Sequence, residues 1–402
     1  MKTVSTIAIV ANATWNIYNF RLNLLRILTE NDYHVIVITP VEDYEQYKSY
    51  QKEFPSVQHI SLKHLVRKST NVFQDLRLCH ELFQIFKQTQ PDLILNYTIK
   101  PNIYGGIIAN LLKIKYLCVV TGLGYTFLHN GLLYRLSQKM YSWSFQNANR
   151  VIFENRDDKK LFNDLKLVSM YKSLYVKGCG IDIQHFYPMP KMQTHTGFVF
   201  CFMGRFLWDK GIGEWIEAAK IVRRKVPTTL FWLVGAPDEQ NRSCIPKAQI
   251  KIWEDEQIII NQGFAQDVRP FIREADCIVL PSHREGMPTI LAEAAAMCKP
   301  IIATDVAGCR EIVEHGKNGY LVPKQSVAGL AVAMLKMLQL PESQLVTMGI
   351  AGRRKVVQEA EQGLIAQQFL KIVQECLHST STHTTPQYPK FYLKKNNNIV
   401  EV

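Results

Sequence analysis

The sequence predicts an α/β protein made of two doubly wound domains. Short apolar strands alternate with amphipathic helices along most of the chain, a pattern typical of parallel sheets covered by helices. The 402 residues are 47% hydrophobic, which is more chain than a single core comfortably holds. The pattern restarts after a hinge-like segment, Gly178 to Lys191, that contains glycines and prolines. We therefore expect a cleft between two facing domains, with ligands at the carboxyl ends of the strands.

The pattern divides the chain into three segments. Residues 1–188 form the predicted first domain, residues 189–377 the second, and residues 378–402 a Ser/Thr/Pro/Asn-rich tail that we expect to be disordered. The predicted strands are Ser5–Val10, His34–Thr39, Val57–Ile60, Leu93–Asn96, Tyr116–Thr121, Val151–Glu154, Leu174–Lys177, Phe198–Met203, Thr229–Val234, Ile258–Ile260, Cys277–Leu280, Pro300–Thr304 and Tyr320–Val322. The predicted helices include Tyr18–Glu30, Val72–Gln88, Ile103–Leu112, Leu132–Asn147, Ile212–Val226, Thr289–Met297 and Val356–Leu377.

Composition excludes several classes of protein. The nine cysteines are scattered without a C-x-x-C pair, so we expect reduced thiols and no structural zinc. The first apolar run stops at Asn12 without a cleavage site, which indicates a strand rather than a signal peptide. The most apolar stretch, Ile107 to Leu128, contains Lys113 and Lys115, so no segment is expected to span a membrane.

Charge is distributed unevenly. The net charge is +12, and no acidic residue lies between Asp92 and Glu154. The cations of this acid-free stretch are Lys100, Lys113, Lys115, Arg135, Lys139 and Arg150. A surface of one sign attracts a polyanion, anionic lipid or a pyrophosphate-bearing substrate, and the alternative is a basic solvated face without a partner. No recognition motif accompanies the charge, so we expect no nucleic acid as a partner.

The strongest candidate site follows the eleventh predicted strand. The string P-S-H-R-E-G-M-P-T-I-L-A-E, residues 281–293, has the order of a strand end, a loop and a helix start. Gly286 allows a tight turn, and Pro288 suits the first positions of a helix. The amides of Thr289 and Ile290 would then point, with the positive end of the helix dipole, at a bound phosphate.

Two carboxylates in this string have different predicted roles. Glu285, in the loop, could orient sugar hydroxyls near a reacting carbon, whereas Glu293, about one turn into the helix, could accept both ribose hydroxyls of a nucleotide. Gly286 and Met287 belong to the same expected binding surface. The alternative is a surface carboxylate and a helical glutamate on an ordinary solvated face.

A second cluster lies between the first strand and the first helix of the second domain, at residues 203–212. Arg205 can fork two diphosphate oxygens, and Lys210 can add a mobile positive charge that stabilises a leaving group. Gly204 precedes them and is a further candidate contact with the nucleotide. A pair of surface cations near a glycine turn is the alternative interpretation.

Weaker signals lie in the first half. His129 follows the Gly122-Leu123-Gly124 turn in a loop, where it could act as a base, bind the acceptor or have only a structural role. The predicted helix Leu132–Asn147 mixes Leu, Tyr, Trp and Phe with Arg135 and Lys139. It fits a helix lying on a bilayer surface and a core helix equally well. No Asp-x-Asp triplet occurs, so we expect no essential metal and no cofactor.

These residues resemble family 4 of the retaining glycosyltransferases, which have the GT-B fold of two facing Rossmann-like domains. The similarity extends to about Cys376 and is strongest from Gly263-Phe264 to Glu311. Glu285 followed by Glu293 matches the signature of that family, and Arg205 with Lys210 falls where its diphosphate-binding pair belongs. The resemblance implies a nucleotide-sugar donor as substrate, with Phe264 beside the nucleotide.

Within that family, residues 12–21 and 96–102 resemble enzymes that add N-acetylgalactosamine or a similar sugar to an undecaprenyl-diphosphate-linked saccharide. The resemblance implies a UDP-sugar donor, a polyprenyl-diphosphate-linked acceptor and a cytoplasmic protein attached to the anionic inner face of the cell membrane. It also implies a role in surface polysaccharide, capsule or lipopolysaccharide synthesis. The chain departs from many relatives at Ala11-Asn12-Ala13-Thr14, where they have a glycine-rich loop.

Three alternatives stay open from the sequence. One is a transferase that uses a galactose, glucose or mannose donor and another glycan or lipid acceptor. Another is a hydrolase with paired carboxylates, which requires a carboxylate separation that Glu293 beneath a nucleotide does not suit. The third is a non-catalytic protein that binds nucleotide sugars on the same scaffold.

Overall fold

The computed structural model describes residues 4–40, 50–66, 71–123, 132–192, 196–239, 241–378, 392–395 and 398–401. The chain forms two compact units. One unit consists of Met1–Gly180 together with Gln362–Val402, and the other of Ile181–Glu361.

The first unit contains a seven-stranded parallel sheet in the order β3-β2-β1-β4-β5-β6-β7. Its strands are β1 (Thr6–Val10), β2 (His34–Thr39), β3 (Gln58–Ser61), β4 (Leu93–Tyr97), β5 (Lys115–Val120), β6 (Arg150–Phe153) and β7 (Ser173–Tyr175). Its helices are Thr14–Phe20, Leu22–Glu30, Tyr50–Glu53, Val72–Thr89, the π-helix Pro101–Gly105 continued by Gly106–Leu111, Leu132–Phe145, Arg156–Asp164 and Gln362–His378. The strand order reverses between β1 and β4, which is where such sheets bind ligands.

The second unit contains a six-stranded parallel sheet in the order β10-β9-β8-β11-β12-β13. Its strands are β8 (Val199–Met203), β9 (Leu230–Val234), β10 (Ile260–Gly263), β11 (Cys277–Leu280), β12 (Ile301–Thr304) and β13 (Gly319–Val322). Its helices are the 3₁₀ turn Trp208–Lys210, Ile212–Lys225, Lys247–Asp255, Arg269–Glu274, Thr289–Ala296, Ala307–Ile312, Val327–Leu338 and Glu342–Glu359. Here the order reverses between β8 and β11, the two strands that precede the candidate site residues.

The sheet of the first unit is buried on both faces. Ala8 and Val10 of β1 belong to one apolar core, whereas Ile7 and Ile9 belong to the core on the opposite face. A strand buried on both faces has to be apolar at consecutive positions, which explains the continuous apolar runs in the sequence. The predicted doubly wound α/β fold is therefore confirmed. The first and last residues of strands β1 to β13 lie within three residues of the predicted ones.

The predicted helix Tyr18–Glu30 is divided into two helices at Arg21. Arg21 has φ −130° and ψ 5°, and its side chain turns inward to pair with Glu154. The spacing of apolar residues along a helix carries no information about a buried ion pair with a residue far along the chain. The sequence pattern therefore predicted one continuous helix.

The last helix does not belong to the second unit, in contrast to the predicted range 189–377. The predicted helix Val356–Leu377 is broken after Glu359, and Gln362–His378 packs in the first unit through Phe369 and Val373. The Ile181 amide donates to the Ala360 carbonyl, so a hydrogen bond joins the first residue of the second unit to a residue next to its last, Glu361. The first unit correspondingly ends at Gly180 rather than at residue 188.

The tail has two described segments, β14 (Tyr392–Lys395) and β15 (Asn398–Glu401), which pair antiparallel. The disorder expected for the rest of the tail stays a prediction. All nine cysteines are free thiols, as predicted. Among the residues that the structure describes, no helix is both long and apolar enough to cross a membrane.

Candidate functional site

Three glycines end three neighbouring strands of the second unit. Gly204 follows β8, Gly235 follows β9 and Gly263 ends β10, and all three have positive φ. A Cβ on Gly235 would lie 1.9 Å from the Gly204 carbonyl oxygen. This edge of the sheet is therefore a surface of bare backbone at the carboxyl ends of the strands, where a ligand can approach closely. The sequence analysis named Gly204 and Gly263 but missed Gly235, whose role depends on its neighbour across the sheet.

Arg205 lies directly after this edge, and its side chain is about half exposed. Its Nη1 lies 2.8 Å from Asp238 Oδ2, in the segment that follows β9. The structure thus pairs Arg205 with Asp238, a residue that sequence reasoning did not single out. The contact holds the guanidinium at the rim of the sheet, where its remaining donors can meet a phosphate.

Lys210 and Glu285 form the central contact of the site. Lys210 ends the 3₁₀ turn Trp208–Lys210, and its Nζ lies 2.5 Å from Glu285 Oε1. Both side chains are largely buried, with 22% and 11% of their surface exposed. Two residues predicted separately to act on the donor are therefore in direct contact, although 75 positions separate them in the sequence.

The loop that carries Glu285 is fixed by backbone contacts on two sides. A Cβ on Gly211 would lie 2.0 Å from the Pro281 carbonyl oxygen, and one on Gly308 would lie 2.3 Å from the Gly286 carbonyl oxygen. The His283 amide also donates to the Asp209 carbonyl at 2.9 Å. Because Gly211 and Gly308 leave no side chain in the way, the loop lies directly against the starts of two helices.

Two further polar residues of this loop have structural partners. His283 Nε2 lies 2.8 Å from Glu214 Oε1 on the helix Ile212–Lys225, and the Thr304 hydroxyl donates to the Ser282 carbonyl at 2.5 Å. The Ser282 hydroxyl is buried and meets no hydrogen-bond partner in the described part of the chain. The sequence analysis quoted Ser282 and His283 without a role, and the partner Glu214 carries no local signal.

The helix Thr289–Ala296 begins as predicted. Pro288 is its N-cap residue and supplies no side-chain hydrogen bond, so the first amides face outward without a side-chain cap. Leu291 and four alanines of the helix are buried. Met287 packs at the edge of the same core, whereas Phe264, after β10, is 72% exposed. Met287 and Pro288 thus lie at the start of this helix, and Phe264 presents an exposed aromatic ring just after β10.

Glu293 lies inside the first turns of this helix. Loss of surrounding water raises the pKa of its carboxyl group from 4.5 to about 7, and a hydrogen bond from Thr289 partly opposes this shift. A carboxyl group that titrates near neutrality and faces a helix N-terminus is suited to accept hydroxyl hydrogen bonds once it is ionised.

The raised pKa makes a prediction about stability. Because the folded protein holds the Glu293 proton more tightly than the unfolded chain, the free energy of unfolding is expected to decrease as pH rises from about 4.5 to about 7. The variant Glu293→Gln cannot titrate and should lack this component. Urea unfolding at pH 5 and pH 8 measures the difference. Glu217→Gln, at an exposed position, should keep the wild-type pH dependence; an unchanged slope in Glu293→Gln would contradict the assigned pKa.

The first unit has its own polar cluster, which includes residues at the carboxyl ends of two of its strands. Arg21 Nη2 lies 3.1 Å from Glu154 Oε1, and the guanidinium stacks 4.3 Å above the Tyr97 ring centroid. Tyr97 ends β4 and Glu154 follows β6. Burial raises the pKa of Glu154, and Arg21 opposes that shift. Sequence reasoning missed this buried pair because its members are 133 positions apart.

The segment Ala11-Asn12-Ala13-Thr14, which stands where many relatives have a glycine-rich loop, is held by side-chain hydrogen bonds. The Thr14 hydroxyl lies 2.8 Å from the Thr39 hydroxyl and donates to the Pro40 carbonyl at 2.7 Å. Thr39 in turn lies 2.9 Å from His59 Nε2. The loop after β1 is therefore fixed to the ends of β2 and β3 without glycine.

The helix Leu132–Phe145 has both of the faces that were weighed for it. Tyr134, Tyr141 and Phe145 are buried in the core, whereas Leu136 and Trp143 are 51% and 60% exposed. The buried face agrees with the interpretation as a core helix, and the exposed apolar face agrees with the interpretation as a surface helix. Contact of that face with a membrane stays a prediction. His129 lies outside the described residues, so its role also stays a prediction. No group of three His, Cys, Asp or Glu side chains that could hold a metal ion occurs among the described residues.

Two family models match the chain, one in each unit. The model described as "Glycosyl transferase 4-like" matches residues 6–155, and the one described as "Glycosyl transferases group 1" matches residues 197–340. The second match contains both clusters of candidate site residues.

Individual relatives agree with these matches. The chain is 27% identical over 389 residues to an N,N'-diacetylbacillosaminyl-diphospho-undecaprenol alpha-1,3-N-acetylgalactosaminyltransferase of Campylobacter jejuni, covering 91% of this chain and 97% of the relative. It is 26% identical to the amylovoran biosynthesis glycosyltransferase AmsK of Erwinia amylovora, over 52% of this chain and 53% of that protein.

Solved structures show the same fold. Sucrose-phosphate synthase from Thermosynechococcus elongatus superposes with a TM-score of 0.77 at 18% identity, covering 92% of this chain and 98% of that one. HepE of Anabaena, in complex with UDP and glucose, superposes with a TM-score of 0.72 at 17% identity, covering 92% and 99%. The predicted GT-B class is confirmed by these similarities.

Proposed function

Because the chain belongs to the group 1 and family 4-like glycosyltransferases, we propose that it transfers an N-acetylhexosamine from UDP to a polyprenyl-diphosphate-linked saccharide. The observation that carries the proposal is the contact between Lys210 and Glu285 at the carboxyl edge of the second sheet. It joins a cation suited to a diphosphate and a carboxylate suited to sugar hydroxyls in one small region. In a donor whose diphosphate contacts Lys210 and whose sugar contacts Glu285, the bond that breaks, between the anomeric carbon and the diphosphate oxygen, lies between these two residues.

The second unit binds the donor in this proposal. Lys210 and Arg205 contact the diphosphate, and the amides of Thr289 and Ile290 point at the same group with the positive end of the helix dipole. Glu293 accepts the ribose hydroxyls one turn further along the helix. These contacts strengthen as negative charge develops on the departing UDP, so they lower the barrier rather than only binding the substrate.

The transfer step retains the anomeric configuration in this proposal. An acceptor hydroxyl oxygen bonds to the anomeric carbon on the face from which UDP departs, and the bond between that carbon and the diphosphate oxygen breaks. The hydroxyl proton passes to an oxygen of the departing phosphate. The products are the glycoside and UDP, and no side chain has to form a covalent bond with the sugar.

The charge arrangement also leads us to propose that transfer proceeds without a metal ion. Two cations and a helix N-terminus together can balance the diphosphate charge that a metal ion balances in other enzymes. The same reasoning makes the nucleotide sugar the only small molecule that the reaction needs besides its acceptor.

The proposed acceptor rests on two observations. The Campylobacter relative is named for an undecaprenol-diphosphate acceptor, and AmsK for biosynthesis of a polysaccharide. In this chain, Arg135 and Lys139 accompany the exposed Leu136 and Trp143 on one helix, within a stretch that lacks acidic residues. Such a face fits an anionic bilayer. We therefore propose peripheral attachment to the inner face of the cell membrane and a role in the synthesis of surface polysaccharide.

N-acetylgalactosamine is the donor sugar that we favour, since the relative matched over almost its whole length is named for that sugar. A hexose donor is the second candidate. It is favoured by an Escherichia coli relative, 23% identical over 67% of this chain, that is named as an alpha-1,3-galactosyltransferase acting on a diphosphoundecaprenol-linked sugar.

The test is a transfer assay with purified full-length protein. UDP-N-acetylgalactosamine, UDP-N-acetylglucosamine, UDP-galactose, UDP-glucose and GDP-mannose are each incubated with undecaprenyl-diphosphate-linked saccharides, with and without EDTA. Mass spectrometry is expected to show the addition of one N-acetylhexosamine, and the anomeric coupling constant an α linkage. The product should form equally in EDTA.

Each part of the proposal has its own contrary result. A β-linked product would overturn retention, and loss of product in EDTA would overturn the metal-free mechanism. Transfer from a hexose donor alone would replace the donor assignment. Normal UDP binding without transfer to any lipid-linked acceptor would favour the non-catalytic alternative.

A further inference from the structure

A groove with a volume of about 510 Å³ lies on the second unit, and none of the residues assigned above to the donor lines it. Most of its lining residues come from the helices Ile212–Lys225 and Lys247–Asp255, and Trp208 lines it as well. The groove is therefore lined by other residues than the donor contacts, although Trp208 precedes Lys210 by two residues in the sequence.

Trp208 provides a fixed aromatic surface in this groove. The indole is 41% exposed, and a Cβ on Gly213 would lie 3.2 Å from its Cζ3 atom, so the ring rests against the helix at a position without a side chain. The buried Trp253 meets it edge to face, with ring centroids 6.0 Å apart. An exposed aromatic ring that is already held in place loses little conformational entropy when a ligand stacks on it.

Polar side chains, most of them acidic, line the groove together with Trp208. Glu217, Glu256 and Gln249 line the groove, and the exposed Ile252 adds an apolar surface between them. Glu217 pairs at 2.8 Å with Lys220, the one lysine among the residues that line the groove. Carboxylates and an amide accept hydrogen bonds from hydroxyl groups, whereas the carboxylates repel phosphates and other anions. With three glutamates and one lysine the lining is acidic, although the whole chain has a net charge of +12, so an anionic ligand is disfavoured here.

From this combination we propose that the groove binds a neutral oligosaccharide, with one sugar ring stacked on Trp208 and its hydroxyl groups donating to Glu217 and Glu256. A sugar ring has an apolar C–H face and a rim of hydroxyl donors, and the groove offers a partner for each. Glu214, which also lines the groove, contacts His283 of the donor loop, so the bound glycan lies next to that loop. Binding here requires neither donor nor transfer and goes beyond the proposed function.

The test measures binding of neutral oligosaccharides to the full-length protein in the absence of a donor. A maltooligosaccharide and an oligomer of N-acetylglucosamine serve as probes in isothermal titration calorimetry and saturation-transfer NMR. Trp208→Ala is expected to weaken the affinity by about tenfold or more, and Trp208→Phe by less, because the aromatic anchor carries most of the contact. Trp143→Ala, at an exposed tryptophan of the first unit, is the matched control and should leave binding unchanged.

Two further measurements decide the outcome if Trp208→Ala also disturbs the neighbouring Lys210, which UDP titration would reveal. Gln249→Ala and Glu256→Ala change the opposite side of the groove and should weaken the sugar without altering UDP affinity. A phosphorylated maltooligosaccharide should bind more weakly than the neutral one. The proposal is overturned if neither neutral probe binds at millimolar concentration, or if the variants of both sides bind as the wild type does. Because no donor is present, failure of the transfer assay leaves this result unaffected.

Discussion

Lys210→Ala is expected to lower the turnover of sugar transfer by about 10²- to 10³-fold, as removal of one preorganised contact to a developing charge does in other enzymes. The 2.5 Å contact with Glu285 fixes the ammonium group before the donor arrives, so little reorganisation is needed during the reaction. Turnover is measured at saturating donor and acceptor, with the acceptor that the transfer assay identifies.

A loss of stability could imitate this result, because Lys210→Ala leaves the partly buried Glu285 carboxylate without its partner. The double variant Lys210→Ala/Glu285→Gln removes the unpaired charge and should restore the free energy of unfolding without restoring turnover. Lys317→Ala removes an ion pair with Glu314 at the surface, so turnover should be unchanged and the free energy of unfolding should change by about 1 kcal/mol or less. Wild-type turnover in Lys210→Ala would remove this residue from the mechanism.

Gly211→Ala is expected to destabilise the second unit by about 2–4 kcal/mol, which combines an unfavourable backbone conformation with overpacking. Gly211 has φ 71°, and its new Cβ would lie 2.0 Å from the Pro281 carbonyl oxygen. Relief of that clash moves the backbone at the start of the donor loop. The affinity for UDP should therefore decrease as well, which isothermal titration calorimetry measures beside urea unfolding.

The matched control is Gly316→Ala. Gly316 has φ 79°, but nothing lies within 4 Å of the position that its Cβ would take. This substitution introduces the backbone strain alone and should cost about 1 kcal/mol with no change in UDP affinity. Equal destabilisation by the two substitutions would show that contact with Pro281 is not what makes Gly211 necessary.

Much of the second unit's site could be predicted from the sequence because its motifs are local. The string of residues 281–293 contains a strand end, a loop and a helix start in direct succession, so Glu285, Pro288 and Glu293 could be placed without tertiary information. The strands could be predicted for a similar reason, since burial on both faces of a sheet leaves continuous apolar runs.

The features that escaped prediction depend on residues distant in sequence. Gly235 matters because of its approach to Gly204, and Asp238 because of its contact with Arg205. The pair of Arg21 and Glu154 is the extreme case, since a buried charge is tolerated only beside a partner that the fold brings to it. No local sequence pattern predicts that two such distant residues will be in contact.

Because the last helix packs in the first unit, it determines which segments of the chain can be produced as separate domains. Phe369 packs with Tyr97 at a ring-centroid distance of 6.3 Å, and the Lys115 ammonium group donates to the Leu377 carbonyl at 2.7 Å. A polypeptide truncated after residue 180 would leave this apolar surface open to solvent and prone to aggregation. Isolating that half as a well-behaved sample therefore requires joining residues 362–378 to it by a linker, whereas residues 181–361 form an uninterrupted segment that can be expressed directly.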